Sequence, residues 1–231
     1  MTKNETLAPL QIELREAMAG WGCPLCRLAD RAERNFIDSL SYERVLDIKT
    51  RAALQAARGL CAVHSRQWQN LQGGALGVAI VYRVAVLDLL RETEAAMQPS
   101  GGFLRRGRTE AGQLARELEP TGPCPVCEIG QGTAQRFAEL LLKDIAAPEV
   151  QTLLRDCGGL CLPHLRMTLS QPGAGKVSRL LLEAQRAAWQ RLIGEVDEFI
   201  RKNDYRFHHE ALTDQEADSW IRAIDTLVGK S

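Results

Sequence analysis

The sequence predicts an all-α protein built from two homologous helical modules, each stapled by a metal site of three cysteines and one histidine. Three observations carry that prediction. The knuckle CPxC occurs twice, at 23–26 and 124–127, and GLCxxH occurs twice, at 59–64 and 159–164. Apolar residues recur every three or four positions along most of the 231 residues, the spacing of a helix face. Aromatic residues make up only 5%, while Ala, Leu and Arg are plentiful, a composition that suits helices better than sheets.

The two copies align with an offset of 101 at Cys23/Cys124 and Cys26/Cys127, and of 100 at Cys61/Cys161 and His64/His164. Between Cys26 and Cys61 lie 34 residues, and between Cys127 and Cys161 lie 33. A period near 100 is too long for a solenoid unit and marks a duplicated module. The reading is therefore a first module at 1–97, a linker at 98–112, a second module at 113–203, and an unduplicated tail and helix at 204–231 that packs on the modules.

Each copy repeats one order of elements. A short amphipathic segment (LQIELREAM at 10–18, QLARELE at 113–119) precedes the knuckle. The next helix carries Leu28, Ala32, Phe36, Ile37 and Leu40 in one copy, and Phe137, Leu140, Leu141 and Ile145 in the other. A shorter helix follows, opened by Asp47 as an N-cap or by Pro148 in the first turn, and stopped at Gly59 or at Gly158-Gly159. CxxH starts another helix, with Pro163 in its first turn. A Gly-containing break leads to a long helix, whose stripe in the second copy is Val177, Leu181, Ala184, Ala188, Leu192, Val196 and Phe199. Its counterpart ALGVAIVYRVAVLDLL at 75–90 could pass for a strand, but the alignment makes it a buried helix; Arg83 and Asp88 interrupt it, and it is short for a membrane span. In the tail, Trp220, Ile221, Ile224, Leu227 and Val228 form one helix face, stopped at Gly229.

Cys23, Cys26, Cys61, His64, Cys124, Cys127, Cys161 and His164 are the candidate metal ligands. Three thiolates and an imidazole are a standard structural set for Zn²⁺. CPxC bends the chain so that both sulfurs face one point, and CxxH puts its ligands on one side of a helical first turn. Within each copy, the metal is expected to staple the two ends of a helical pair, contributing roughly 10–16 kcal/mol of apparent binding energy. Two zinc ions are the cofactors expected; iron–sulfur clusters on the same residues are the rival, which spacing does not separate. Four protein ligands leave no place for substrate, which argues against an enzyme.

Other signals weigh less. A thioredoxin-type reading of CPxC expects a βαβ setting. Cys157 has Ala57 as its counterpart and reads as a buried small residue, with an oxidation-sensitive thiol as the minor reading. QPGAGKVS at 171–178 lacks the first glycine and the Ser/Thr of a phosphate loop. The segment RKNDYRFHHE, with Tyr205, Arg206, Phe207, His208 and His209, invites a nucleic-acid reading. Residues 197–231, however, hold eight acidic and five basic side chains, so a docked structural segment is favoured. The arginines at 105, 106 and 108 read as a solvated linker. Lys plus Arg and Asp plus Glu balance at 29 each, which removes any whole-molecule pull on nucleic acid or anionic membranes. The polar, acidic N-terminal stretch reads as lacking an export signal, so a cytoplasmic protein with reduced thiols is expected.

With the paired CPxC…GLCxxH motifs and the segments RKNDYRFHHE and DSWIRAIDTLVG, the chain resembles a bacterial family of unknown function with duplicated cysteine motifs. The likeness runs from Cys23 to Gly229. It implies a bacterial cytosolic protein whose tail belongs to the domain, and it implies no activity. The function expected is a non-enzymatic zinc protein acting as an interaction or adaptor module for another protein. An iron–sulfur redox sensor and a nucleic-acid-binding regulator are the alternatives.

Overall fold

A computed structural model describes residues 8–42, 44, 47–97, 109–207 and 209–229. Among them are twelve helices and no strand. Most of the expected linker, with its arginines at 105, 106 and 108, lies outside the described residues, as do His208 and the first seven residues. The first copy supplies α1 (Pro9–Ala17), α2 (Pro24–Tyr42), α3 (Ile48–Ala56), α4 (Ala62–Gln69) and α5 (Ala75–Met97). The second supplies α6 (Thr109–Glu117), α7 (Pro125–Asp144), α8 (Pro148–Asp156), α9 (Leu162–Leu169) and α10 (Ala174–Lys202). The tail adds α11 (Asp214–Ala217) and α12 (Ser219–Val228). No helix is long and apolar enough to cross a membrane among the described residues.

Local chemistry sets the helix ends. Asp47 caps α3 by accepting a hydrogen bond from the Thr50 N–H at 2.7 Å, which satisfies one of the donors a helix start leaves free. Pro148 opens α8, where its missing N–H costs nothing. Gly59, Gly158 and Gly159 all take positive φ after α3 and α8, as helix-terminating glycines do. The 75–97 segment is a helix despite its β-branched residues, as the alignment with α10 requires.

The chain divides into two compact units, and these do not follow the copies. One comprises residues 1–32 with 130–231; the other comprises 33–129. The first unit therefore joins α1 and the first knuckle to the body of the second copy. Its core packs Leu14, Leu25 and Leu28 with Phe137, Leu141, Ile145, Leu154, Leu160 and Leu181. The second unit joins the second knuckle to the body of the first copy, and Val126 packs with Phe36, Ile37, Leu40, Leu54, Leu60 and Trp68. At roughly 25 cal/mol per Å² of apolar surface removed from water, each exchanged leucine or valine stabilises the unit it enters, not the copy it comes from.

The tail is tied down by charge. Arg201 pairs with Glu198 at 2.8 Å and Glu210 at 2.5 Å, and Lys202 pairs with Glu216 at 2.7 Å. Thr213 and Glu216 form a reciprocal capping box on α11. Arg206 pairs with Asp204, and Arg201 and Arg206 both lie over the Phe207 ring. Among the residues that suggested nucleic acid, Arg201, Lys202, Arg206 and Phe207 are thus engaged by neighbouring residues, while Tyr205 is exposed.

The terminal helix α12 is turned the other way from the sequence expectation. Its buried residues are Ser219 and Arg222, while Trp220, Ile221, Ile224, Leu227 and Val228 are all exposed. Arg222 decides the orientation. It bonds Asp218 at 2.6 Å, Glu195 at 2.8 Å and the Gln215 carbonyl, and its guanidinium lies 4.4 Å from the centre of the Trp21 ring. A buried guanidinium left without these partners is strongly destabilising, and a ten-residue helix can turn only one face inward.

Candidate metal centres

Each knuckle places one cysteine just ahead of a helix and the other in its first turn, around Pro24 in α2 and Pro125 in α7. Each CxxH makes its cysteine the N-cap of α4 or α9, in extended conformation (φ −64° and ψ 167° at Cys61, −68° and 159° at Cys161), with the histidine in the first turn. All eight residues thus stand at helix N-termini, whose free N–H groups and positive dipole ends favour thiolates.

The eight converge in two groups of four, Cys23, Cys26, Cys161 and His164 in one unit and Cys61, His64, Cys124 and Cys127 in the other. This corrects the expected pairing. The knuckle of each copy meets the CxxH of the other copy, not its own. The first group joins residues 135 positions apart, and the second joins residues 60 apart. Matched spacing within each copy suggested a local clamp, but two identical halves satisfy the same spacing equally well when they exchange partners.

Contacts flanking the clamps join the same exchanged halves. Gly22 donates its N–H to the Cys157 carbonyl at 2.6 Å, and Thr121 and Gly122 donate theirs to the Ala56 carbonyl at 2.8 and 3.1 Å. Trp21 lies over the turn after α8, where a Cβ on Gly158 would stand 2.8 Å from the indole ring. In the other unit Gly122 takes the place of Trp21, and Arg58 takes the place of Gly158, at φ +53°. The bulky Trp21 of one copy thus faces a glycine of the other, whereas Gly122 lies against Ala56.

The cage dimensions are those of a single ion. A tetrahedron with Zn–S near 2.3 Å and Zn–N near 2.0 Å has S···S edges of about 3.8 Å and S···N edges of about 3.5 Å. In the first group, His164 Nδ1 lies 3.4, 3.2 and 3.3 Å from the sulfurs of Cys23, Cys26 and Cys161, and Cys26 and Cys161 are 3.6 Å apart. In the second, His64 Nδ1 lies 3.2, 3.6 and 3.4 Å from Cys61, Cys124 and Cys127, and Cys61 and Cys127 are 3.7 Å apart. Burial disfavours the His164 imidazolium, but the Cys161, Cys23 and Cys26 sulfurs outweigh it and push the ring up to about 12. Cys127 is pushed up to about 12 by partial burial and by the neighbouring Cys61 and Cys124 sulfurs. Burial also acts on Cys61, yet the backbone N–H groups of His64 and Val63, with the Cys127 and Cys124 thiols, bring it below its ordinary value.

The two cages differ in cover. In the first, Cys26 and Cys161 are buried, and Gly229 at the end of α12 brings its Cα side against both: a Cβ there would stand 3.5 and 3.6 Å from their sulfurs. In the second, Cys127 is exposed. The second also has a carboxylate behind its histidine, with Glu33 Oε2 3.4 Å from His64 Nε2. Such a partner orients a ligating imidazole. Glu33 escaped sequence reasoning because its counterpart in the other copy is Ala134, so the repeat did not point to it.

The turn before each CxxH leaves the N–H of Leu60 or Leu160 to be satisfied by a side chain. Tyr82 Oη accepts from Leu60 at 3.2 Å, and Gln185 Oε1 accepts from Leu160 at 2.7 Å. A Cβ on Gly159 would fall 2.5 Å from Gln185 Nε2, at φ +80°. Gly159→Ala is expected to destabilise the unit holding His164 by at least about 1–3 kcal/mol, the cost of a strained backbone before the clash is added; chemical denaturation measures it. Cys157, the one cysteine outside both groups, is buried, and burial pushes its thiol up to about 11, which suits a packing residue.

An uncharacterised 23.9 kDa protein in the xynA 3′ region of Caldicellulosiruptor sp. (strain Rt8B.4) is 25% identical over 212 residues, covering 90% of this chain and 95% of that protein. No solved structure matches the chain. Residues 8–231 match the model described as a family of unknown function, DUF6062, and the chain belongs to that family.

Proposed function

We propose that the protein is a non-enzymatic zinc protein whose two ions sit in crossed Cys₃His cages and hold its helices as a scaffold for binding another protein. The observation that carries this reading is the closure of each cage. In each cage the ring nitrogen lies 3.2–3.6 Å from all three sulfurs, one sulfur pair lies 3.6 or 3.7 Å apart, and all four donors lie within 4.8 Å of one another, a spacing suited to a single tetrahedral ion. A polynuclear iron–sulfur cluster spreads its protein ligands over two or more sulfide-bridged irons and needs a wider cage. Four protein donors also leave no coordination place for substrate or activated water, so the metal's role is structural. Free thiolates of this kind suit a reducing compartment, in keeping with a cytoplasmic protein.

The test is elemental analysis and an absorption spectrum on protein purified without oxygen and without added metal. Two zinc atoms per chain and no visible band are expected. Iron with sulfide and a brown absorption band would overturn the reading in favour of a redox protein.

A further inference from the structure

Helix α5 has two faces. The inward one carries the buried Gly77, Val81 and Ala85. The outward one runs Leu76, Ile80, Arg83, Leu87, Leu90, Glu94 and Met97, at spacings of 4, 3, 4, 3, 4 and 3. Leu76 is 73% exposed, Leu90 50% and Met97 76%. Ile80, Arg83 and Glu94 are exposed, and Leu87 is half-buried. The sequence expectation of a helix buried all round is therefore corrected on this side.

Alternating steps of three and four are the seam of a two-stranded coiled coil. The duplication supplies an internal control. At the offset of 100 that aligns Cys61 with Cys161, the same seven positions on α10 are Lys176, Leu180, Glu183, Ala187, Gln190, Gly194 and Asp197, where Leu180 is the one large apolar side chain and packs against the core. One fold position is thus polar in one copy and apolar in the other, so the apolar seam of α5 is not something the module needs for folding.

We propose that this seam binds the same seam of a second copy of the chain, with the two α5 helices antiparallel. The charges select that occupant. Arg83 and Glu94 interrupt the seam, both exposed and eleven residues apart, three turns along the same face. In an antiparallel pair, Arg83 of each copy faces Glu94 of the other, Ile80 faces Met97, and Leu87 faces Leu90, so the pattern is complementary to itself. A parallel pair would set Arg83 against Arg83 and Glu94 against Glu94, and like charges facing each other reject that register. The contact is isologous, and it closes at two copies.

Mass measurement by light scattering across micromolar concentrations tests this on the full chain. The wild type is expected at twice 25.6 kDa. Arg83→Glu, which sets acid against acid, is expected to halve that mass, and the double variant Arg83→Glu/Glu94→Arg to restore it. Both positions are exposed, so an unchanged helical circular-dichroism spectrum certifies that each variant folds. A wild type that stays at 25.6 kDa, a single variant that stays dimeric, or a double variant that stays monomeric overturns the proposal.

Discussion

A chain carrying Cys23→Ser together with Cys161→Ser is expected to keep one metal ion, and a chain carrying Cys23→Ser together with Cys61→Ser to keep none. Both substitutions of the first pair fall in one cage, whereas those of the second pair disable one cage each. Clamps closed within each copy would give the reverse result, because Cys23 and Cys61 would then share a site. Metal counting on the two purified variants therefore reads the connectivity directly. The first variant is expected to lose the packing of residues 1–32 and 130–231 while the unit spanning 33–129 keeps its ion. The effect should be large, because structural zinc of this kind is worth roughly 10–16 kcal/mol of apparent binding energy, more than a typical domain's net stability.

Removal of both ions by a chelator is expected to melt much of the helical signal, in two steps. The cage with the exposed Cys127 should release its ion first; the one covered by Gly229 and holding buried Cys26 and Cys161 should release second. Circular dichroism followed against released metal resolves the order, and simultaneous release from both sites would contradict the difference in cover. Acid should act in the same direction. Loaded ligands carry no proton, while the unfolded chain binds protons at ordinary histidine and cysteine values, so the stability of the loaded protein falls as pH falls. Circular dichroism of the loaded protein across an acid titration checks it, and helicity unchanged down to strongly acid pH would contradict it.

The helices and the eight cysteines and histidines that converge were legible because they rest on local chemistry: the Asp47 cap, the glycine stops, the CxxH first turn, the three- and four-residue stripes. What escaped was partner choice. A duplicated sequence states each half-site twice and leaves open which half meets which, and the deciding contacts, Trp21 over Gly158 and Gly122 beside Ala56, are meaningful only once the turns are in place. The orientation of α12 escaped for a different reason. An apolar stripe was taken to mark the inward face, yet one arginine with two carboxylates and an indole to meet outweighed five apolar side chains. The same assumption hid the outward seam of α5.

Crossed clamps also bear on descent. A lone ancestral repeat joining its ligands in this way could not fill a four-donor cage from one polypeptide; it needed a twin, each lending its knuckle to the other. Gene fusion would have turned that concentration-dependent partnership into a single molecule, with the tether supplying the second half at high effective concentration. The copies were then free to diverge, one gaining a carboxylate behind its histidine and the other a C-terminal cover.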